Sequence, residues 1–202
     1  MKKLFLISFF SLTTISSATE FIGTGAGAIA DGGGACGGAA GTARTLSFVV
    51  NNESQVLRDI NINIEITHSW LGDVSAKLIA PDATELILFA RTAATTANDC
   101  GSGATLQGDY IFGDTATDNW WTNANNLTNG NPMPNLSYRT STAGGSGVGQ
   151  GTLTSLMTSF GNISNINGTW TLEVTDSAAG DTGTVTSASL FLTTAIFANG
   201  FE

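Results

Sequence analysis

One histidine limits the catalytic chemistry open to this chain. His68 is the only histidine among the 202 residues, so Ser-His-Asp catalysis would need it as the general base. No G-x-S-x-G nucleophile elbow is present, because the Gly-Gly-Ser-Gly run at 144–147 is followed by Val148 and lies in a soft Gly/Ser loop. The sequence therefore argues against a hydrolase, and we interpret His68 as a structural residue at the end of a strand.

Metal ligands are better supplied by carboxylates than by nitrogen or sulfur. One histidine and two cysteines that are expected to pair with each other, Cys36 and Cys100, cannot provide the usual three or four ligands of a zinc site. Oxygen ligands on loops suit calcium, and a divalent cation would relieve repulsion in a chain of net charge -9. Asp is also a common turn former, so composition leaves a calcium site and solvated turns equally open. Carboxylates in predicted loops or strand ends belong to Asp73, Asp109, Asp114, Asp118, Asp176 and Asp181.

Two adjacent tryptophans, Trp120 and Trp121, are candidates for binding a partner. Neighbouring residues of a strand point to opposite faces, so a strand here would bury one ring and expose the other. An exposed tryptophan could stack on a sugar or anchor a protein partner. The alternative is a tryptophan that caps the core beneath a long loop.

Composition indicates one globular domain that must position these residues. The chain is 42% hydrophobic and 11% charged, which excludes a disordered protein. After residue 18, the chain has no apolar run of the roughly 20 residues that a membrane span requires. Only seven Lys and Arg residues, scattered along an acidic chain, argue against a nucleic-acid partner.

Residues 1–18 have the three-part pattern of a secretory signal peptide: two lysines, an apolar run and small residues at the end. We therefore expect a secreted protein, extracellular or periplasmic, with a Gly-rich segment at 19–43 as a flexible lead-in. In an oxidising compartment Cys36 and Cys100 can form a disulfide. The alternative is two separate buried thiols.

Short alternating segments predict an all-β fold, an antiparallel β-sandwich of jelly-roll type. Residues 60–67 place four isoleucines on one face, and residues 169–175 place Trp170, Leu172 and Val174 on one face. The long connection 91–167 should contain one or two short strands, near 109–112. Further strands are predicted at 45–50, 74–80, 85–89 and 188–193.

Two motifs together resemble the P domain, also called the Homo B domain, of proprotein convertases and secreted bacterial subtilisin-like serine proteases. The first is I-E-I-T-H-S-W-L-G-D at 64–73, continuing to L-I-A-P-D-A-T at 78–84, with Ala83 where the family usually has Gly. The second is N-G-T-W-T-L-E-V-T-D at 167–176, followed by a polar loop and a last strand. The resemblance covers roughly residues 28–193.

The resemblance implies a jelly-roll sandwich with no catalytic residues of its own. In the family this domain packs on a protease and supports its folding, so we expect a subtilisin-like protease as an extracellular partner. Here the domain stands alone behind the signal peptide, without the motifs of a subtilisin, and the chain should not cleave peptides. Bacterial members can carry calcium at loop carboxylates, and by that likeness the preferred ligands are Asp73, Asp114, Asp176 and Asp181.

Residues 194–202 form a tail outside the predicted domain. The tail is similar to the Asn-Gly-Phe-Glu ends of other secreted Gram-negative bacterial proteins, which indicates a bacterial source and a sorting role; a frayed terminus is the alternative. The favoured function is a secreted, non-catalytic P-domain protein that binds or stabilises an extracellular protein. The alternative is a calcium-dependent module that binds a cell surface or a glycan.

Overall fold

Two β-sheets form the framework of the computed structural model, which describes residues 17–53 and 56–195. The predicted signal peptide up to residue 16 and the tail beyond residue 195 lie outside the described residues. The strands are β1 (Ala18–Ile22), β2 (Gly27–Ala28), β3 (Arg44–Val50), β4 (Leu57–His68), β5 (Val74–Ile79), β6 (Glu85–Ala90), β7 (Leu106–Gly113), β8 (Asp118–Asn119), β9 (Ser137–Arg139), β10 (Gly168–Asp176) and β11 (Gly183–Thr194).

The larger sheet has the strand order β1-β11-β4-β7-β9-β8, and β2 also pairs with β11. The smaller sheet has the order β3-β10-β5-β6. The pairs are antiparallel except for β7 with β9 and β8 with β9, which are parallel. The predicted all-β class with two sheets is confirmed, and each strand predicted from alternation is present.

The core lies between the two sheets and follows from the period of two in β4 and β10. Four isoleucines of β4 point inward and are each no more than 1% exposed. From the other sheet, Trp170, Leu172 and Val174 of β10 are fully buried, as the sequence predicts. Burying an aliphatic side chain of this size contributes about 1.5–3 kcal/mol. The inward residues of β4 are Ile60, Ile62, Ile64 and Ile66.

The Gly-rich lead-in is part of the sandwich and was wrongly expected to be flexible. β1 and β2 pair with β11, and Ile29 is buried in the core. Thr24 exchanges two backbone hydrogen bonds with Ser47 of β3, at 3.0 and 2.9 Å, so this segment crosses from one sheet to the other. Side-chain alternation could not predict β2 or the Thr24 bonds, because β2 has only two residues and the Thr24 bonds join backbone groups.

A disulfide joins Cys36 to Cys100, as the sequence predicts. The two Cα atoms are 4.7 Å apart and the residues are 64 positions apart in the chain. The bond fastens the Gly-rich segment to the loop that follows β6. In the chain-entropy model, closing a loop of this length stabilises the fold by about 4 kcal/mol.

Two short helices lie in the long connection after β7: α1 (Trp120–Asn125) and α2 (Leu156–Phe160). Their N-caps are Asn119, which accepts a hydrogen bond from the Thr122 N–H, and Ser155, which accepts one from the Thr158 N–H. Within residues 17–53 and 56–195, no helix is long and apolar enough to cross a membrane.

Candidate functional site

The site is built around a buried pair at one end of the sandwich. His68 is the last residue of β4, and Asp176 is the last residue of β10. The His68 Nε2 atom lies 3.1 Å from the Asp176 Oδ2 atom, and both side chains are buried. Because β4 and β10 belong to different sheets, this pair ties the two sheets together.

The second ring nitrogen of His68 faces the turn that follows β4. Nδ1 lies 2.9 Å from the Trp70 carbonyl oxygen and 3.2 Å from the Trp70 N–H nitrogen. A neutral ring with its proton on Nε2 donates to Asp176 and accepts from the Trp70 N–H. A ring protonated on both nitrogens donates to Asp176 through Nε2 and to the Trp70 carbonyl through Nδ1. The Trp70 indole then donates to the Cys100 carbonyl, at 2.8 Å. These contacts use both ring nitrogens within the fold.

Asp73 is a second buried carboxylate near this pair. Asp73 is 3% exposed. Within residues 17–53 and 56–195, no group donates a hydrogen bond to its carboxylate, whereas its backbone oxygen accepts one from the Ser177 hydroxyl. Burial, followed by the nearby Asp176 and Asp181 carboxylates, raises the pKa of Asp73 from 3.8 to about 6, and Arg91 opposes the shift. An ionised Asp73 is therefore costly at neutral pH.

Two exposed or half-buried carboxylates complete the acidic group. Asp181 accepts a hydrogen bond from the Ser69 hydroxyl, at 2.7 Å. Asp31 accepts from the Gly180 N–H with both oxygens, at 3.1 and 3.2 Å, and it also raises the pKa of Asp73. The structure thus brings Asp73, Asp176 and Asp181 into one region and adds Asp31, which the sequence analysis did not select.

Asp114, the fourth carboxylate expected as a ligand, lies apart from this group. It follows Gly113, which pairs with Asn61 near the start of β4, whereas the acidic group lies at the end of that strand. The Asp114 carboxylate accepts from the Ser155 hydroxyl at 2.6 Å and from two backbone N–H groups of α2 at 2.9 Å. Its hydrogen bonds anchor the start of a helix.

The acidic group has some of the features of a calcium site but not all of them. Carboxylate oxygens are suitable ligands, and the Asp73 carboxylate receives no hydrogen bond from the described residues. However, these residues contain no group of three or more His, Cys, Asp or Glu side chains that could hold a metal ion. As arranged, the carboxylates do not form a complete calcium site, and calcium binding stays a prediction.

The tryptophan pair is placed differently from the sequence expectation. Trp120 and Trp121 lie in α1 and are 0% and 8% exposed, so the expectation of a strand with one exposed ring is wrong. Trp120 packs between Phe89 and Tyr138, with ring centroids 4.6 and 4.9 Å away, and its indole donates to Thr92. A buried ring offers no platform for a sugar or a protein, because it has no free face.

Comparisons with known proteins agree with the P-domain motifs. The model of the proprotein convertase P-domain matches residues 57–132. This range contains the first motif, at 64–84, and ends before the second, at 167–176. No curated protein matches the chain.

Two crystal structures from Aeromonas sobria are similar to the chain at low identity. One is of a serine protease, with 15% identity and a TM-score of 0.47 over 91% of this chain. The other is of the Aeromonas sobria serine protease in complex with a chaperone, with 13% identity and a TM-score of 0.44 over 92% of this chain. The chain spans 28% of the length of each of these chains. From its match over residues 57–132, the protein is identified as similar to the proprotein convertase P-domain family, which confirms the resemblance in the sequence.

Proposed function

We propose that this protein is a secreted, non-catalytic P-domain protein that binds or stabilises an extracellular partner protein, with a subtilisin-like serine protease as the expected partner. The observation that carries the proposal is the P-domain match over residues 57–132. This family is described by its association with proprotein convertases, which connects the domain to proteolysis.

A non-catalytic role is supported by the surroundings of His68. Both ring nitrogens have partners inside the fold, Asp176 on one side and the Trp70 backbone on the other. The neighbouring Ser69 hydroxyl donates to Asp181 and not to His68. A serine nucleophile needs a base within hydrogen-bond reach, and no serine hydroxyl among the described residues has a hydrogen bond to His68.

Secretion is supported by the cysteines and by the pattern at 1–18. A disulfide between Cys36 and Cys100 is typical of an oxidising compartment. The N-terminal lysines, apolar run and small residues are those of a signal peptide. Both Trp120 and Trp121 are buried, so neither ring supports the glycan alternative. The preference for a protein partner rests on the P-domain match.

A pull-down from the native secreted fraction tests the proposal. The immobilised protein is incubated with the fraction in parallel arms with calcium and with EDTA, and bound proteins are identified by mass spectrometry. Recovery of a subtilisin-like protease supports the proposal, and its loss in EDTA adds calcium dependence. Recovery of cell-wall glycan without a protease would favour the surface-binding alternative. Hydrolysis of peptides by the purified protein, removed by His68→Asn with an unchanged melting curve, would contradict the non-catalytic role.

A further inference from the structure

A small cavity, which we call the Asp118 cavity, opens on the outer face of the larger sheet beside the end of β7. Its volume is about 290 Å³, at the lower end of the range for ligand sites, roughly 300 Å³ and above. Asn61 of β4 and Gly113 of β7 are register partners, and both line the cavity. The rest of the wall comes from the turn after β7, from Asp118 of β8 and from Ser137 of β9. A space of this size suits one side chain.

Gly113 leaves room for the side chain of Asn61. A Cβ atom at position 113 would overlap the Asn61 Oδ1 atom. The Asn61 Nδ2 atom donates to the Asp59 carboxylate at 2.8 Å. Because an ionised carboxylate only accepts hydrogen bonds, the amide nitrogen must face Asp59 and the carbonyl oxygen must point the other way, over Gly113. None of the described residues donates to this oxygen, which is therefore an open acceptor at the cavity.

Asp118 has the only ionisable side chain in the wall of the cavity. The residue is half-buried, and its Oδ1 atom accepts a hydrogen bond from the Asn123 amide at 3.4 Å. Among the residues that the structure describes, none donates to its Oδ2 atom, and no Lys, Arg or His side chain forms an ion pair with it. A half-buried carboxylate without a counter-charge favours the binding of a cation.

Further carboxylates lie on the same face of the sheet. Glu65 of β4 is directly opposite Asp109 of β7, and like charges in directly opposite positions destabilise a sheet. Their side-chain hydrogen bonds come from uncharged donors, Ser187 at 2.9 Å and Asn63 at 3.4 Å. The Asn63 Oδ1 atom is buried and has no hydrogen-bond partner in the described part of the chain. This face therefore has an excess of acceptors and of negative charge, which attracts a positively charged group.

The donors that these acceptors require identify the cation as an ammonium group. An ammonium carries three N–H donors and no acceptor. The cavity offers it the Asp118 carboxylate, the Asn61 carbonyl oxygen and the Ser137 hydroxyl. Ile111, which is 39% exposed, adds an apolar wall against which the methylene groups of a lysine can pack. A lysine side chain therefore matches both the polar and the apolar part of the cavity.

Two other cations fit the cavity less well. A guanidinium binds best to both oxygens of one carboxylate, and Asn123 already occupies one oxygen of Asp118. Calcium takes about six to eight oxygens, usually from several carboxylates, and this wall contains one carboxylate. The carboxylate count thus favours an ammonium, and the position of the cavity on an acidic sheet face favours a lysine presented by the surface of a protein.

We propose that the Asp118 cavity binds the ammonium group of a lysine side chain from the extracellular partner protein. The Asp118 carboxylate pairs with the ammonium, the Asn61 Oδ1 atom accepts a second N–H, and Ile111 packs against the methylene groups. The inference rests on the proposed function only in that the partner is a protein.

Titration with a lysine probe tests the site in the secreted protein. Nα-acetyl-lysine methylamide and its Nε-acetylated form are added in parallel, and amide chemical shifts are followed by NMR. We expect saturable shifts at residues 111–118 from the charged probe only, because acetylation removes the charge. Asp118→Asn keeps the size and the acceptor for Asn123, and we expect it to weaken binding about tenfold or more. Asp82→Asn makes the same charge change at an exposed turn and should bind like wild type.

A second variant tests the geometry without a change of charge. The Cβ atom of Gly113→Ala displaces the Asn61 carbonyl oxygen, so we expect weaker binding of the charged probe, with folding checked by the melting midpoint. The inference would be overturned by the absence of saturable shifts at residues 111–118, by equal shifts from both probes, or by equal binding to Asp118→Asn and wild type.

Carbodiimide cross-linking in the native secreted fraction connects the cavity to the partner. The reagent activates the Asp118 carboxylate, a lysine amine of the partner attacks it, and an amide bond forms while the reagent leaves as a urea. We expect mass spectrometry to find this cross-link in wild type and in Asp82→Asn, and its absence would contradict the lysine contact. If the cross-linked protein is not a subtilisin-like protease, the proposed partner fails and the lysine contact stands. If a pull-down recovers a protease equally well with Asp118→Asn, the lysine contact fails and the proposed function stands.

Discussion

The His68 Nε2 atom and the Asp176 Oδ2 atom lie 3.1 Å apart, at the ends of two strands from opposite sheets. The residues are separated by 108 positions in the chain. Both belong to the motifs that resemble the P domain, so these motifs meet in space and close one end of the sandwich. The pair therefore links the family pattern directly to the stability of the fold.

Removing one member of this pair should destabilise the protein strongly. Leaving a buried charge without its ion-pair partner costs about 3–5 kcal/mol, which corresponds to a melting midpoint roughly 6–20 °C lower at this chain length. We expect this loss for His68→Ala and for Asp176→Ala in thermal unfolding followed by circular dichroism. The exposed Asp82→Asn in the turn after β5 provides a control with little effect. A loss for His68→Ala no larger than for the control would contradict a structural role.

The buried Asp73 carboxylate should make stability fall as pH rises. Its pKa is raised from 3.8 to about 6 in the folded protein, so the folded state binds the proton more tightly than the unfolded state does. Stability from this group is full below about pH 4 and is lost as the pH rises through about 6. The cost of ionisation is at most roughly 3 kcal/mol.

Asp73→Asn isolates this contribution because it removes the charge and keeps the size of the side chain. In EDTA we expect the variant to melt higher than wild type at pH 7 and to differ little from it at pH 4. Melting curves at half-unit pH intervals provide the measurement, again with Asp82→Asn for comparison. If the stability of wild type relative to Asp73→Asn is greater at pH 7 than at pH 4, the predicted direction of the pH dependence is wrong.

The disulfide should stabilise the whole fold and protect the N-terminal segment most. Replacing Cys36 and Cys100 together by Ser should lower the free energy of unfolding by about 4 kcal/mol, if chain entropy dominates. Hydrogen exchange should increase first in the Gly-rich residues around Cys36, where the backbone bonds of Gly32 and Gly41 hold the segment against β10 and its following loop. Uniform exchange along the chain would instead indicate that the bond has no local role.

The sequence predicted the elements whose side chains alternate and missed those held by backbone contacts. Four isoleucines in β4 and three large residues in β10 recur with a period of two, and both strands are present. β1 was missed because residues 18–22 were attributed to the end of the signal peptide and to the lead-in, and β2 has only two residues, too few to show a period. The tryptophan pair was assigned to a strand, but it starts a six-residue helix that Asn119 caps.

Only the carboxylates in or next to a recognised motif could be predicted correctly as members of the candidate site. Asp73, Asp176 and Asp181 lie in or next to the motifs, and the fold places them in one region, where Asp176 and Asp181 raise the pKa of Asp73. Asp31 was missed because its contact with Gly180 spans 149 positions in the chain, and no local sequence pattern predicts such a contact. Asp114 was selected for its loop position, although its oxygens are occupied by the start of α2.

Calcium binding can be tested by comparing these two carboxylates. A cation near Asp73 would neutralise a buried charge, and saturation at about a hundredfold above its dissociation constant stabilises the fold by roughly 2.7 kcal/mol, or about 5–10 °C in melting midpoint. We expect calcium to raise the midpoint and EDTA to reverse the rise, with Asp73→Asn abolishing the difference. Asp114→Asn should lower the midpoint equally in calcium and in EDTA, because its carboxylate accepts three hydrogen bonds at α2. If wild type melts at the same temperature in calcium and in EDTA, calcium has no structural role in this protein. The rest of the fold then offsets the free-energy cost of ionising the buried Asp73 carboxylate.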